Sequence, residues 1–216
     1  MKRLIVWISV IMAAGIAVWP GCQALYAETP PAQSPYTEKP QIPMLDRVKI
    51  IEEKSVGYTA GLEIPDLFYP SGWMGDHGDI TMEYAYPSGS HEHRYSQKWG
   101  YSAAGSQDEG WAGVAWQYPE NNFGSFKGRN LTGIRKVSFW ARGENGGEII
   151  LVKIGGLNDS LYVASDPMTL GTDWKRYVID ISGKDLSNVT SGFCWYAFKK
   201  DNPEGCVFYL DHIRYE

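Results

Sequence analysis

The chain has 216 residues, of which 44% are hydrophobic and 21% are charged, and its formal net charge is -5. This length suffices for one domain with a substantial core after the N-terminal segment is set aside. The acidic balance leaves no basic surface field, which argues against nucleic acid as a partner and against attraction to anionic membranes.

The N-terminus has the features of a secretory signal. Lys2 and Arg3 precede an apolar run over residues 4–18, which is shorter than the roughly 20 residues that a membrane-spanning helix needs. We expect a signal peptide over residues 1–27 and export to the periplasm, the cell envelope or the extracellular space. A second interpretation is cleavage before Cys22 with a lipid attached there, which would make the chain a lipoprotein with a membrane anchor. An uncleaved anchor is the third.

Residues 28–44 predict an extended linker. Prolines recur among polar residues in this segment, at Pro30, Pro31, Pro35, Pro40 and Pro43. Such a composition cannot build a core and favours an extended chain. A single β-sandwich domain is then expected over residues 45–216.

The rest of the chain alternates strand-like runs with clusters of Gly, Asn, Asp and Pro, and it lacks a long helical period. These features predict an all-β fold, a two-sheet antiparallel β-sandwich of the jelly-roll type. Strands are predicted near residues 47–53, 80–86, 93–101, 111–118, 136–142, 148–154, 175–181, 193–198 and 207–215.

The segment 69–79 is rich in glycine and predicts a loop that contains Trp73, Asp76 and Asp79. Trp73 is a candidate ligand contact, and the alternative is that it folds back over an end of the sandwich. The two aspartates are either oxygen ligands for calcium or turn residues that bond to nearby backbone, and their spacing does not match an EF-hand loop.

Two strands predict a glycan-binding face. Residues two apart on a strand share a face, so Trp111 and Gln117 point outward with two small residues between them, while Trp140 and Arg142 point outward from a later strand. Aromatic rings stack on the C–H surface of sugars, and amides and guanidinium groups bind hydroxyls. We therefore predict a site made of these four residues, with Asn121 at its rim. The competing interpretation is that the tryptophans cap the core.

Cys194 and Cys206 flank the predicted turn at 199–205. If the two arms pair as an antiparallel hairpin, these residues lie roughly opposite one another, within reach of a disulfide. Export favours such a bridge. The alternative is two small buried residues.

Three segments together resemble the galactose-binding-like jelly rolls: GWAGVAWQ at 110–117, GRNLTGIRKVSFWARG at 128–143 and FYLDHI at 208–213. This group includes many non-catalytic carbohydrate-binding modules of secreted bacterial proteins. The resemblance implies a jelly roll that binds polysaccharide on a concave sheet or at loop tips, requires no cofactor for binding and often holds a structural calcium. In such domains the last strand commonly carries two consecutive acidic residues. Asp211 matches the first, which in such domains often forms an ion pair or binds calcium, whereas His212 replaces the second.

The sequence thus predicts non-catalytic binding of a glycan or polysaccharide by an exported domain. No nucleophile motif occurs, and no two carboxylates can be assigned as a pair for glycoside cleavage. The alternative is a structural or protein-interaction β-sandwich of the cell envelope, because the fold alone does not choose between these functions.

Overall fold

The computed structural model describes residues 47–48, 50–53, 61–87, 95–156 and 158–216. The predicted signal peptide (1–27), the linker (28–44) and Cys22 lie outside these residues. The described part contains the strands β1 (Arg47–Val48), β2 (Ile50–Glu53), β3 (Leu62–Glu63), β4 (Tyr69–Gly75), β5 (Ile80–Tyr86), β6 (Ser96–Tyr101), β7 (Trp111–Gln117), β8 (Lys136–Gly143), β9 (Ile149–Ile154), β10 (Val163–Ser165), β11 (Met168–Thr169), β12 (Lys175–Asp180), β13 (Ser191–Phe198) and β14 (Cys206–Tyr215). Short 3-10 helices cover Ile64–Asp66 and His77–Asp79.

The strands form two sheets that enclose one core. Sheet I has the order β1-β10-β9-β13-β7-β4, with β11 beside β9, and sheet II has the order β2-β12-β8-β14-β6-β5, with β3 beside β14. Neighbouring strands in the described part pair antiparallel apart from β1 and β10, which are parallel. The predicted two-sheet antiparallel sandwich is confirmed. Among the described residues, no helix is long and apolar enough to cross a membrane.

Strand β4 occupies part of the segment that the sequence predicts as a loop. Pro70 and Gly72 lie on it, and the register with β7 shifts between these two residues. Proline is tolerated on edge strands and at bulges, and β4 is both the end strand of sheet I and irregular at this point. The turn-like composition around Pro70 and Gly72 is therefore that of an edge strand with a bulge.

The core forms from the inward residues of both sheets, as strand alternation predicts. Val114 and Trp116 of β7 and Phe139 of β8 are fully buried in one hydrophobic cluster. Trp99 of β6 lies in the same cluster, with its ring centroid 5.4 Å from Trp116 of the opposite sheet. Burial of large aromatic side chains is the main contribution to the stability of such a sandwich.

The predicted disulfide between Cys194 and Cys206 is wrong. The turn at 199–205 connects β13 of sheet I to β14 of sheet II, so the two arms do not form a hairpin. Cys194 lies opposite Ala115 and Lys153, whereas Cys206 lies opposite Tyr101. Both cysteines are free and buried, which fits the alternative of two small buried residues.

Candidate ligand-binding face

The four residues of the predicted glycan site do not share one surface. Trp111 and Gln117 lie on β7 of sheet I, whereas Trp140 and Arg142 lie on β8 of sheet II. Their side chains point away from the core, as predicted, but from opposite sides of the sandwich. Alternation along a strand shows which residues share a face of that strand, but it does not show to which of the two sheets the strand belongs.

Trp73 points into the sandwich. Its ring centroid is 6.1 Å from that of Trp99, and its Nε1 donates a hydrogen bond to the carbonyl oxygen of Pro70 at 3.2 Å. The indole is half-buried and packs against the core cluster. This placement matches the alternative in which Trp73 covers an end of the core.

The buried carboxylates of Asp76 and Asp79 accept hydrogen bonds from backbone. Asp76 accepts from the N–H groups of Gln107, Glu109 and Gly110 at 2.8–2.9 Å. Asp79 accepts from the N–H group of Gly105 at 2.6 Å, and such bonds lower the pKa of its carboxyl although burial, the largest influence, raises it. These contacts match the turn-residue alternative.

Asp211 lies at an irregular point of β14. Its Oδ1 accepts a hydrogen bond from the backbone N–H of His212 at 2.8 Å, and His212 has a φ of 48°. The pairing of β14 with β8 shifts register between Asp211 and Arg214. The described residues contain no group of three or more His, Cys, Asp and Glu side chains suited to a metal ion. A calcium role for Asp211 therefore stays a prediction of the resemblance.

The outward face of sheet I carries a second hydrophobic cluster, separate from the core, which we call the outer cluster. It consists of Met74, Trp111, Ala115, Leu151, Ala164, Cys194 and Tyr196, with Phe123 and Phe198 packed against it. The outer face of an antiparallel sandwich is ordinarily polar because it faces solvent. Each of the seven residues of the outer cluster is at most 6% exposed, so the accessible part of this face is its edge, where Phe123 and Phe198 are half-buried.

Two aromatic rings of the outer cluster pack closely against glycines. A Cβ atom added to Gly75 would lie 2.8 Å from the ring of Trp111, and one added to Gly113 would lie 2.8 Å from the ring of Tyr196. The centroids of these two rings are 5.7 Å apart, with 43° between their planes. The glycines thus allow the rings to lie against the sheet and form the floor of this face.

The rim of the face is more accessible than its floor. Trp111 and Tyr196 are each 3% exposed, whereas Phe123, Phe198 and Tyr162 are half-buried. The floor residues are therefore enclosed, and the rim offers the approach.

An exposed tyrosine and polar groups lie at one end of the face. Tyr69 is 52% exposed and lies opposite Gln117 in the ladder between β4 and β7. The Oγ of Ser71 donates to Oε1 of Gln117 at 3.1 Å and accepts from the backbone N–H of Asn121 at 2.8 Å. The predicted contacts Gln117 and Asn121 are thus connected through Ser71, next to an accessible ring.

This face also contains two buried hydrogen-bond donors, the indole nitrogen of Trp111 and the ammonium group of Lys153. The Nε1 of Trp111 has no hydrogen-bond partner among the described residues. The ammonium group of Lys153 lies 4.6 Å from the ring centroid of Tyr162 and 5.5 Å from that of Tyr196. Burial raises the pKa of the adjacent Cys194 thiol to about 11, although Lys153 acts to lower it, so this thiol is protonated at neutral pH.

The outward face of sheet II is built differently, because its polar groups contact one another. The guanidinium carbon of Arg142 lies 3.8 Å from the ring centroid of Tyr209, whose hydroxyl donates to Oε2 of Glu144 at 2.7 Å. The ammonium group of Lys98 lies 4.8 Å from the ring centroid of Tyr86. Arg142 therefore covers an aromatic ring of its own sheet, which leaves sheet I with the better candidate face.

The sequence predictions omitted five residues of the sheet I face: Tyr69, Lys153, Tyr162, Tyr196 and Phe198. The sequence contains a signal for two of them, Tyr196 and Phe198. The predicted strand 193–198 is apolar at both alternating sets of positions, which indicates a strand buried on both faces. Tyr69 gave no comparable signal because it precedes Pro70 in a segment with turn-like composition.

Comparison with protein-family models finds no match, and comparison with curated proteins finds none either. Among solved structures, one similar protein is the family 11 carbohydrate-binding module of the cellulosomal cellulase Lic26A-Cel5E of Clostridium thermocellum. It is 16% identical in sequence, the match covers 74% of this chain and 95% of the module, and the TM-score is 0.48. The family 30 module of the cellulosomal cellulase Cel9D-Cel44B of the same organism is 12% identical, with coverages of 69% and 92% and a TM-score of 0.49. TmCBM61, solved in complex with β-1,4-galactotriose, is 15% identical, with coverages of 75% and 99% and a TM-score of 0.45.

Proposed function

We propose that the protein binds a glycan on the outward face of sheet I, without catalysis. The observation that carries this proposal is the apolar outer cluster on the outward side of sheet I, with the exposed ring of Tyr69 at one end of the face. An accessible ring beside amide and hydroxyl groups is the combination that binds sugars, since rings contact C–H surfaces and polar groups bind hydroxyls.

The residues take distinct roles in this proposal. Tyr69 supplies an accessible stacking surface, and the exposed Asn121 supplies hydrogen bonds to hydroxyls beside it. Gln117 is buried and holds Asn121 in position through Ser71. We expect this binding outside the cytoplasm because a signal peptide is predicted over residues 1–27.

A binding experiment with matched variants tests the proposal. The full chain is run through native gels that contain a panel of soluble polysaccharides, and retained ligands are measured by calorimetry. We expect Tyr69→Ala and Asn121→Gly to weaken binding by about tenfold each, which corresponds to about 1.4 kcal/mol; glycine adopts the φ of 58° at position 121 without strain. Trp140→Phe is the control, because Trp140 lies on the opposite sheet and should leave the affinity unchanged.

Tyr69 keeps this test informative because truncation of a half-exposed ring leaves the core intact, and circular dichroism verifies the fold of each variant. Retention of no polysaccharide would contradict the proposal and favour the alternative, an interaction domain that binds protein through its apolar face. Equal binding by the wild type and by the Tyr69 and Asn121 variants would remove this face as the glycan site.

A further inference from the structure

Lys153 is a buried cation on the outward face of sheet I. It lies on β9 directly opposite Cys194 of the outer cluster, and its side chain is 8% exposed. Two aromatic rings flank its ammonium group, those of Tyr162 and Tyr196. Cation–π contacts of this kind stabilise a charge only in part.

The described residues provide no carboxylate partner for Lys153. The ion pairs in the described part of the chain involve other cations, such as Arg176 with Glu216 and Arg214 with Glu63. Buried charges in proteins are ordinarily paired because removal from water without a counter-ion is costly. Burial is the largest influence on the pKa of Lys153 and lowers it, but Tyr196, Cys194 and Tyr162 hold that pKa above its ordinary value. Within the described residues, the amine thus has a hydrogen bond with Tyr196 and two aromatic neighbours, but no carboxylate.

The position of Lys153 relative to Trp111 suits an extended ligand. Ala115 lies four residues along β7 from Trp111 and opposite Cys194, which in turn lies opposite Lys153. With about 3.3 Å per residue along a strand and about 4.8 Å between strands, the two backbone positions are roughly 16 Å apart on a diagonal. Tyr196 lies between them, in contact with both side chains.

We infer that the glycan bound on this face is anionic, and that Lys153 pairs with a carboxylate or a sulfate ester of one sugar beside the half-buried ring of Tyr162, while neighbouring sugars lie over the rim toward Phe198, which lies opposite Trp111. This inference rests on the proposed function and specifies its ligand class. The ligand supplies the counter-ion that the described part of the chain lacks.

Paired probes that differ only in charge test this inference. Oligogalacturonate is compared with its methyl-esterified form, and sulfated galactan with unsulfated galactan, using the full chain in calorimetry at two salt concentrations. We expect one anionic probe to bind at least about tenfold tighter than its neutral counterpart, and more weakly at high salt because the charges are screened. The probe pair that shows the preference identifies carboxylate or sulfate as the recognised group.

Substitution of Lys153 completes the test. Lys153→Met should remove the preference for the anionic probe, and Lys153→Arg should retain most of it. The methionine variant is expected to fold, since an apolar side chain of similar length relieves a buried charge.

Equal binding of charged and neutral probes would overturn the anionic assignment while the proposed glycan function stands. A charge preference that survives in Lys153→Met would overturn the role of Lys153. Failure of every probe and of the polysaccharide panel would contradict the proposed function itself.

Discussion

Glu216 is held by a network of three side chains at the end of β14. Its carboxylate accepts a hydrogen bond from Ser138, pairs with Arg176 at 2.7 Å and pairs with Lys136 at 2.9 Å. Burial, the largest influence, raises the pKa of this carboxyl, but the three partners hold it below its ordinary value of 4.5. The charged form of Glu216 is therefore favoured in the folded protein.

We expect Glu216→Gln to lower the free energy of unfolding by about 2 kcal/mol at pH 7, since it weakens charge-assisted hydrogen bonds to a partly buried group. A carboxyl whose pKa is lowered by folding contributes stability above its unfolded pKa, and this contribution is lost as the pH falls through the folded pKa. The difference between wild type and variant should thus shrink below about pH 4.5. Urea denaturation at pH 7 and pH 3 measures both differences.

Glu204→Gln is the control for this prediction, because Glu204 is exposed. Its effect on the free energy of unfolding should stay within about 0.5 kcal/mol at either pH. A difference between wild type and Glu216→Gln that stays the same from pH 7 to pH 3 would show that the carboxylate charge does not stabilise the fold.

Asp76 connects the start of β7 to the loop at 102–110. Its carboxylate accepts three backbone N–H groups of that loop, and its own N–H donates to the carbonyl oxygen of Trp111 at 2.7 Å. One buried side chain therefore fixes the loop directly before Trp111. Among the described residues, no strand pairs with this loop.

We expect Asp76→Asn to lower the free energy of unfolding by about 2 kcal/mol. The amide nitrogen of asparagine would face the N–H of Gly110, so that two donors meet and one bond is lost. Hydrogen exchange of the Gln107, Glu109 and Gly110 amides should accelerate, which distinguishes a released loop from a general loss of stability. Asp108→Asn is the control, because Asp108 is exposed in the same loop and has a φ of 60° that asparagine tolerates.

Long alternating strands were predictable from sequence, and irregular ones were not. Strand β5 matches its predicted bounds because seven alternating residues are followed by Pro87. The sequence predicts a loop where strand β4 lies, since Pro70 and Gly72 have turn-like local preferences that pairing with β7 overrides. Local composition reports backbone preference, whereas edge pairing is a property of the neighbouring strand.

The site was predictable one strand at a time. Outward placement of Trp111 and Gln117 follows from alternation alone, and so does that of Trp140 and Arg142. Their separation onto opposite sheets depends on strand order, which is set by long-range pairing and cannot be read from local sequence. The same reason explains the wrong disulfide, because the turn after β13 crosses between the sheets.

Trp99 contacts two aromatic rings of the opposite sheet. It belongs to sheet II, and its ring centroid lies 5.3 Å from Trp195 and 5.4 Å from Trp116, both of sheet I. Edge-to-face arrangements of this type add to the stability gained from burial alone. The indole is fully buried, and its Nε1 donates to Oε1 of Gln97 at 3.2 Å.

We expect Trp99→Ala to lower the free energy of unfolding by about 3–5 kcal/mol, because it leaves a large cavity between the sheets. The sheets should still unfold together, so fluorescence and circular dichroism should report one urea midpoint, shifted to lower concentration with an unchanged slope. Phe126→Ala is the control, since this ring is 68% exposed and should contribute less than about 0.5 kcal/mol. Two separate transitions in the Trp99 variant would contradict a single core, and a loss below about 1 kcal/mol would show that other contacts hold the sheets together.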